Sequence, residues 1–294
     1  MDTKKCIVLL SVLDKLNITE AAKSLGYTPS GVSRIIESIE KELGFSLLIR
    51  SHDGVLPTTE CSLLLPLFRE LASLDKALVE SAQDITGMKH GKIRIGNAYT
   101  AYIPKLFHTI QDFKKDFPLI DIQIYEGLSS ELIGKLLVNE LDFAICSNCP
   151  GSYDWIPLFS DSMAVIVNKN HPLAKESHYP IKRFETDPFI DFRPDADTDA
   201  KRLLQKYRIK PNSRFTATSN QSAYLMVKAG MGVSLTNSMY TQTWSDGIVK
   251  LMTEPEAYIS IGIAIISKQY LSPSVKLFLE RFIKDMKKQE SITL

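Results

Sequence analysis

Apolar residues recur every three to four positions between residues 29 and 43, which predicts an amphipathic helix. One side carries Val32, Ile35, Ile36, Ile39 and Leu43. The other side carries Ser30, Ser33, Arg34, Glu37 and Lys41. Thr28 is suited to cap this helix, Pro29 suits its first position, and Gly44 suits its end.

Two shorter helices are predicted before this one, over residues 4–16 and 19–25. Asn17 stands where the cap of the second helix belongs, and Gly26 ends that helix. The tight turn Gly26-Tyr27-Thr28 then joins it to the helix that starts at Pro29, which predicts a helix-turn-helix. Two short extended pieces around the turn signal His52-Asp53-Gly54 predict a wing after it.

A long helix is predicted from about Thr58 to Ile85. Its apolar positions, spaced close to 3.5 residues apart, are Leu64, Leu67, Phe68, Leu71, Leu74, Leu78 and Ile85. A helix of this length extends about 40 Å, and a single apolar stripe along it needs a partner. Pairing of two chains is the simplest way to bury this stripe. Pro66 predicts a kink or a frayed first turn.

Beyond the hinge-like segment Gly87–Gly91, short strands and helices alternate, which predicts an α/β layered fold with mostly parallel strands. The predicted strands are 92–98, 121–127, 141–146, 162–168, 215–219, 232–237 and 261–267, and the predicted helices are 101–116, 129–139, 220–229 and 273–288.

The overall composition is that of an ordinary soluble protein with about two domains. The 294 residues carry a net charge of only +1, so any nucleic-acid surface must be local. No apolar run is long enough to span a membrane and the N-terminus does not resemble a secretory signal, so we expect a cytoplasmic protein. Four cysteines are too few for a disulfide framework.

Several segments resemble LysR-type transcriptional regulators, in the family's order and over essentially the whole chain. They are ITEAAKSLGYTPSGVSRIIESIEKELGFSLLIRS, GVLPTT, GKIRIG, EGLSSELIGKLLVNELDFAI, HPLA and VKAGMGVSL. The resemblance implies an α+β multidomain protein that binds promoter DNA: a winged helix-turn-helix (1–58), a dimerising linker helix with a hinge (59–88) and a sensor domain (89–294). The sensor would resemble periplasmic binding proteins, with subdomain I at about 91–161 and 267–294 and subdomain II at about 162–266. Homodimers or homotetramers are implied, with RNA polymerase as a further partner.

The polar side of the 29–43 helix has the short side chains that a major groove admits. Arg34 is the best candidate for a bidentate contact to guanine, and Glu37 either accepts from cytosine or forms a structural ion pair. The candidate DNA-binding residues are Thr19, Thr28, Pro29, Ser30, Ser33, Arg34, Arg50, His52 and Thr58.

Hydroxyl-bearing residues stand where several predicted strands end and helices begin, which is where α/β sheets bind ligands. By resemblance, the effector-binding positions are Tyr99, Thr100, Ser129, Ser130, Ser147, Phe192, Ser219 and Thr236. Such residues equally serve as helix caps. A carboxylate is the favoured effector. Some acid-sensing relatives carry an arginine near the position of Ser147, whereas this sequence has none there.

Three other patterns favour ordinary structural roles. Cys146 and Cys149 have dithiol spacing but lack a following helix or further zinc ligands, which favours an incidental thiol at a buried strand end over redox or metal chemistry. Asp195, Asp197 and Asp199 lack the glycine and glutamate of a calcium loop, so we expect them to cap a helix near Ala200. We expect no metal, no cofactor and no enzymatic activity.

Two hypotheses follow from these patterns. The first is a LysR-type regulator that responds to a small molecule in the cleft between its two sensor subdomains. The alternative is a cytoplasmic solute-binding or enzymatic α/β domain with an N-terminal bundle for protein interaction.

Overall fold

The computed structural model describes residues 2–51, 54–85, 91–99, 103–242 and 246–290. The helices of these residues are α1 (Thr3–Lys15), α2 (Ile18–Leu25), α3 (Pro29–Leu43), α4 (Thr59–Ile85), α5 (Ile103–Asp116), α6 (Ser129–Leu137), α7 (Asp199–Lys206), α8 (Asn220–Lys228) and α9 (Pro273–Glu290). The strands are β1 (Leu48–Ser51), β2 (Gly54–Pro57), β3 (Gly91–Asn97), β4 (Ile120–Glu126), β5 (Phe143–Ser147), β6 (Asp154–Asn168), β7 (His178–Pro180), β8 (Phe189–Phe192), β9 (Ser213–Ala217), β10 (Ser234–Asn237), β11 (Ile248–Glu254) and β12 (Tyr258–Ile265).

The N-terminal helices pack around one core, as the sequence predicts. Val32, Ile36 and Ile39 of α3 are fully buried in it. The side chain of Asn17 accepts hydrogen bonds from the first turn of α2, and that of Thr28 accepts from the first turn of α3, so both predicted caps are confirmed. These caps fix the angle at which α3 leaves the turn.

The wing is tied to both α3 and α1. A carboxylate oxygen of Glu40 accepts from the backbone N–H groups of Leu47 (2.7 Å) and Leu48 (3.2 Å). The N–H of Val55 donates to the carbonyl of Leu16 (2.9 Å), and β1 pairs antiparallel with β2. The wing is therefore held beside the exposed side of α3.

The linker helix α4 runs as one helix through Pro66, so its first turn is not frayed. Phe68 and Ala72 are buried in the core of the N-terminal domain. Further along, Ser73 Oγ donates to the carbonyl of Tyr270 (3.4 Å), and Lys76 pairs with Asp142 of the C-terminal domain. One helix thus contacts both domains.

The C-terminal domain contains one long mixed sheet in the order β4-β3-β5-β12-β6-β11-β7, with β10 also paired to β6. Strand β3 is parallel to β4 and β5, but β12 is antiparallel to both β5 and β6. The prediction of mostly parallel strands is therefore wrong. Strand β6 leaves the first subdomain and β12 returns to it, so these central strands run in opposite directions.

Each of the two subdomains has its own core. The first packs Phe113, Phe143 and Phe278 around β3 and β5, and the second packs Tyr179, Phe184 and Leu235 around β6 and β10. None of the helices in the described part of the chain combines the length and hydrophobicity that crossing a bilayer requires.

Candidate DNA interface and effector cleft

The start of α3 exposes a cluster of hydroxyl groups at a helix N-terminus. Thr28 Oγ1 accepts from the Gly31 N–H (3.1 Å) and lies 3.2 Å from Ser30 Oγ. Thr28, Pro29 and Ser30 are all exposed. Backbone N–H groups and the helix dipole at such a position favour an anion.

The exposed side of α3 carries one arginine that is available for an outside contact. Arg34 is exposed, and within the described ranges no ion pair or hydrogen bond engages its guanidinium. Arg50 of the wing, in contrast, lies 3.7 Å from the carboxylate of Glu37. Of the two roles predicted for Glu37, the structure shows the ion pair. Ser33 is half-buried beside this face.

The remaining candidate DNA residues lie around this face in different settings. Thr19 is exposed at the start of α2. The hydroxyl of Thr58 donates to the Ser46 carbonyl (2.9 Å) and accepts from the Cys61 N–H (3.0 Å), so it already caps α4. His52 lies outside the described residues.

The predicted cleft lies between the two subdomains, beyond the carboxyl ends of β3, β5 and β8. Subdomain I contributes Tyr99 after β3, Ser129 at the start of α6 and Ser147 at the end of β5. Subdomain II contributes the first turn of α7 and the end of β10. These are the strand ends at which α/β sheets usually bind ligands.

A carboxylate of the protein itself, that of Asp199, occupies the middle of this cleft. Its oxygens accept hydrogen bonds from Tyr99 Oη (2.8 Å) and Ser147 Oγ (2.7 Å). They also accept from Asn237 Nδ2 (3.2 Å) and from the guanidinium of Arg202. Four donors from both subdomains therefore converge on one carboxylate.

Arg202 supplies the positive charge of the cleft. Its Nη2 donates to Ser147 Oγ (2.8 Å), and its Nη1 donates to the carboxylate of Asp197 (2.9 Å). The sequence showed no arginine near Ser147 because this one comes from α7, 55 positions away along the chain. An arginine therefore lies beside Ser147 in the folded cleft, although none lies near Ser147 in the sequence.

Tyr99 is a hydrogen-bond donor in the core of the site rather than an aromatic surface at its edge. It is 2% exposed, and its hydroxyl lies 3.5 Å from Ser129 Oγ. Burial raises the pKa of Tyr99 above its ordinary value, and the neighbouring carboxylate of Asp199 raises it further. Tyr99 therefore stays protonated and donates a hydrogen bond to Asp199.

The other predicted effector residues have different roles. Ser129 accepts from the Ser147 N–H (3.0 Å), and Ser130 donates to the Asp197 carbonyl (3.0 Å). Phe192 and Thr236 line the cavity. Ser219 is exposed and accepts from the Ser222 N–H (3.1 Å) as the cap of α8. Thr100 lies outside the described residues.

A cavity of about 80 Å³ remains beside Asp199. It adjoins a smaller cavity, of about 20 Å³, whose walls include Ile166, Ala223 and Ile248. Phe192 and Thr236 separate the two and line both. The cleft therefore combines a polar centre with a small apolar compartment.

Asp199, Arg202 and Tyr240 are site residues that the sequence reasoning missed. The prediction that an aspartate caps α7 is wrong, because Thr198 Oγ1 accepts from the Lys201 N–H (3.1 Å) and takes that role. Asp199 is instead the first helical residue, with its carboxylate turned into the cleft. The (i, i+3) spacing of Asp199 and Arg202 was the available signal.

Cys146 and Cys149 are free thiols in the buried core next to the cleft. Burial raises the pKa of both, so the protonated, unreactive form is favoured. Among the described residues, no three histidine, cysteine, aspartate or glutamate side chains are grouped to hold a metal ion.

Family models match the chain over nearly its whole length. Residues 4–62 match the bacterial regulatory helix-turn-helix of the lysR family, and residues 86–287 match the LysR substrate binding domain. The chain belongs to the LysR family. It is therefore a DNA-binding transcriptional regulator with an effector-binding domain, and the alternative of a solute-binding or enzymatic protein is wrong.

Individual relatives are distant but cover most of this regulator. It is 26% identical over 279 residues to YvbU of Bacillus subtilis, an uncharacterised HTH-type transcriptional regulator, covering 93% of this chain and 94% of YvbU. Its fold is similar to a full-length OxyR variant of Pseudomonas aeruginosa, with a TM-score of 0.65, 18% identity, and 98% and 95% of the two chains covered. It is also similar to the effector-binding domain of QuiR in complex with shikimate, with a TM-score of 0.58, 23% identity, and 68% and 98% covered.

Proposed function

We propose that this regulator reads promoter DNA in the cytoplasm with the exposed side of α3, and that Arg34 carries most of the base discrimination. Arg34 is the exposed cation in the N-terminal half of α3, and it has no partner among the described residues. A bidentate arginine contact to guanine discriminates by about 1–3 kcal/mol, because the wrong base leaves its donors unpaired. Ser30 and Ser33 are short enough to let α3 approach the base edges.

The hydroxyl groups around the helix starts position the protein on the phosphates. Thr28, Pro29 and Ser30 surround the N-terminus of α3, and Thr19 stands at the start of α2. Arg50, whose ion pair with Glu37 is solvent-exposed, can exchange that weak contact for a phosphate. His52 and Thr58 complete the predicted contact set on the wing side.

The paired unit is a homodimer joined through α4, and two such dimers form the tetramer. Leu63, Leu67, Leu74 and Leu78 lie along one side of α4 and are 74%, 60%, 43% and 67% exposed. Steps of four and seven residues keep these leucines on one side of the helix, which gives α4 an apolar face that a second copy can cover. Contact with RNA polymerase would follow from binding at a promoter.

The effector is a small carboxylate that binds in the cleft. The observation that carries this proposal is the donor set of Tyr99, Ser147, Asn237 and Arg202, which the protein already uses to hold a carboxylate. Ser129 and Ser130 at the start of α6 support the same class of ligand, since a helix N-terminus favours anions.

The test of DNA reading compares Arg34→Ala with Lys41→Ala, which removes an exposed cation in the last turn of the same helix. Genomic fragments that bind the wild-type chain are selected first. Affinity for the best fragment and for a scrambled fragment is then measured at one salt concentration. Arg34→Ala should reduce the ratio of the two affinities by roughly 5- to 150-fold, the equivalent of one guanine contact. Lys41→Ala should leave the ratio unchanged, and an unchanged ratio in Arg34→Ala would refute the assignment.

A further inference from the structure

Asp199 links the two subdomains through the same atoms that a bound carboxylate would use. It belongs to α7 in subdomain II, whereas Tyr99 and Ser147, which donate to it, belong to subdomain I. The Asp199 side chain is only 11% exposed. Its carboxylate therefore sits inside the cleft and bridges its two walls.

The two hydroxyl donors of the cleft, those of Tyr99 and Ser147, are used by this contact. A carboxylate has about four acceptor positions, and Asp199 receives one hydrogen bond from each of Tyr99, Ser147, Asn237 and Arg202. The hydroxyls of Tyr99 and Ser147 each have a single proton to give. A second carboxylate cannot receive those two hydrogen bonds while Asp199 receives them.

We propose that Asp199 is a resident ligand of the effector cleft, and that a carboxylate effector binds by exchanging with it. This inference rests on the proposed carboxylate specificity of the same site. On exchange, the hydroxyls of Tyr99 and Ser147 turn from Asp199 to the incoming carboxylate, and Arg202 pairs with the newcomer. The cavity beside Asp199 provides the space from which the effector approaches.

Exchange also loosens the segment that leads into α7. The Asp197 carbonyl accepts from Ser130 of α6, and Arg193 pairs with Glu131 of α6. With the contacts of Asp199 to Tyr99 and Ser147, residues 193–199 are thus fastened to subdomain I at three points. Release of Asp199 removes the most buried of these three attachments. Effector binding thereby changes how subdomain II is held against subdomain I, which is the kind of differential contact that a population shift requires.

The apparent affinity of the wild-type cleft for a small carboxylate is the intrinsic affinity multiplied by the fraction of molecules in which Asp199 has left the cleft, so it is low while that fraction is small. Removal of the Asp199 carboxylate should therefore uncover a binding site for a free one. Formate is the suitable probe, because it has the shape and charge of the group that Asp199→Ala removes. The measurement is the melting temperature of the full chain in sodium formate and in sodium chloride of equal ionic strength.

Formate should raise the melting temperature of Asp199→Ala by about 2–4 °C over chloride, in a saturable way, and its dissociation constant should be at least about tenfold lower than in the wild type. Tyr99→Phe in the Asp199→Ala background should reduce this response, since one donor is lost. Asp246→Ala removes a carboxylate from an exposed ion pair with Lys228 and should behave as the wild type does in both salts.

Equal behaviour of folded Asp199→Ala in formate and chloride would overturn the proposal, and so would a formate response that is independent of Tyr99. If Asp199→Ala does not fold, Asp199→Asn takes its place in the test. The amide keeps the shape of the side chain but competes poorly with formate for Arg202. Tighter formate binding than in the wild type supports the exchange, and equal binding refutes it. Specific DNA binding is measured on the same samples. If the chain still binds DNA specifically but formate binding is unchanged by the substitution, the exchange is refuted while the regulatory function stands.

Discussion

Replacement of Leu67 by alanine should weaken chain pairing strongly without unfolding the protein. Leu67 is 60% exposed on the α4 stripe, and burial of a whole leucine contributes about 1.5–3 kcal/mol. Covering the exposed part of one Leu67 thus contributes roughly 1–2 kcal/mol. A symmetric dimer contains the residue twice, so the dimer dissociation constant should rise by roughly 30- to 1,000-fold.

Sedimentation velocity over a series of protein concentrations measures this constant. Leu277→Ala is the matched control, since Leu277 is also a partly exposed helical leucine (38%) but lies on α9. The control should dimerise as the wild type does, and alanine at either position preserves the helix. A wild-type chain that is monomeric at all concentrations, or a Leu67→Ala chain with an unchanged constant, would refute the pairing through α4.

Three further predictions concern stability. Gly232→Ala should lower the free energy of unfolding by about 1–3 kcal/mol or more, because its Cβ would lie 2.3 Å from the Pro188 carbonyl oxygen. Gly134→Ala, inside α6 with no atom of the described residues within 4 Å of the added Cβ, should instead raise it by about 0.5–1 kcal/mol in the same urea titration. Burial lowers the pKa of His171 below 6.5, so the unfolded chain takes up the proton first and stability should fall as the pH drops below about 6.5. His171→Gln should flatten that slope between pH 7.5 and pH 5.5, and a slope equal to that of the wild type would contradict the assignment.

Local signals in the sequence were sufficient for the N-terminal domain. Caps at Asn17 and Thr28 and a stop at Gly44 act within one helical turn, so a reader of the sequence can place α2 and α3 from neighbouring residues alone. The long helix α4 was also readable, but its predicted single stripe divides between two sides of the helix. The structure adds that Phe68 packs inward while Leu67 and Leu74 face outward.

The cleft was only half predictable, because its decisive contact joins distant parts of the chain. Tyr99 could be found from a strand end and Ser147 from the family resemblance, but their partner Asp199 is 100 and 52 positions away from them. The same limitation explains the error in strand direction, because β12 is placed by pairing with β5 and β6 and not by its own residues. Long-range pairing leaves no periodic trace in either segment.

The most direct test of the account is a hydroxyl-radical footprint of the full chain on a selected genomic fragment. Two α3 helices joined through α4 should protect two half-sites whose centres are about one helical turn apart, ~34–36 Å, or a whole multiple of it. Leu67→Ala should lose this paired pattern at concentrations where the wild type keeps it. A single protected site in the wild type, or a pattern that the α4 substitution leaves unchanged, would contradict the account.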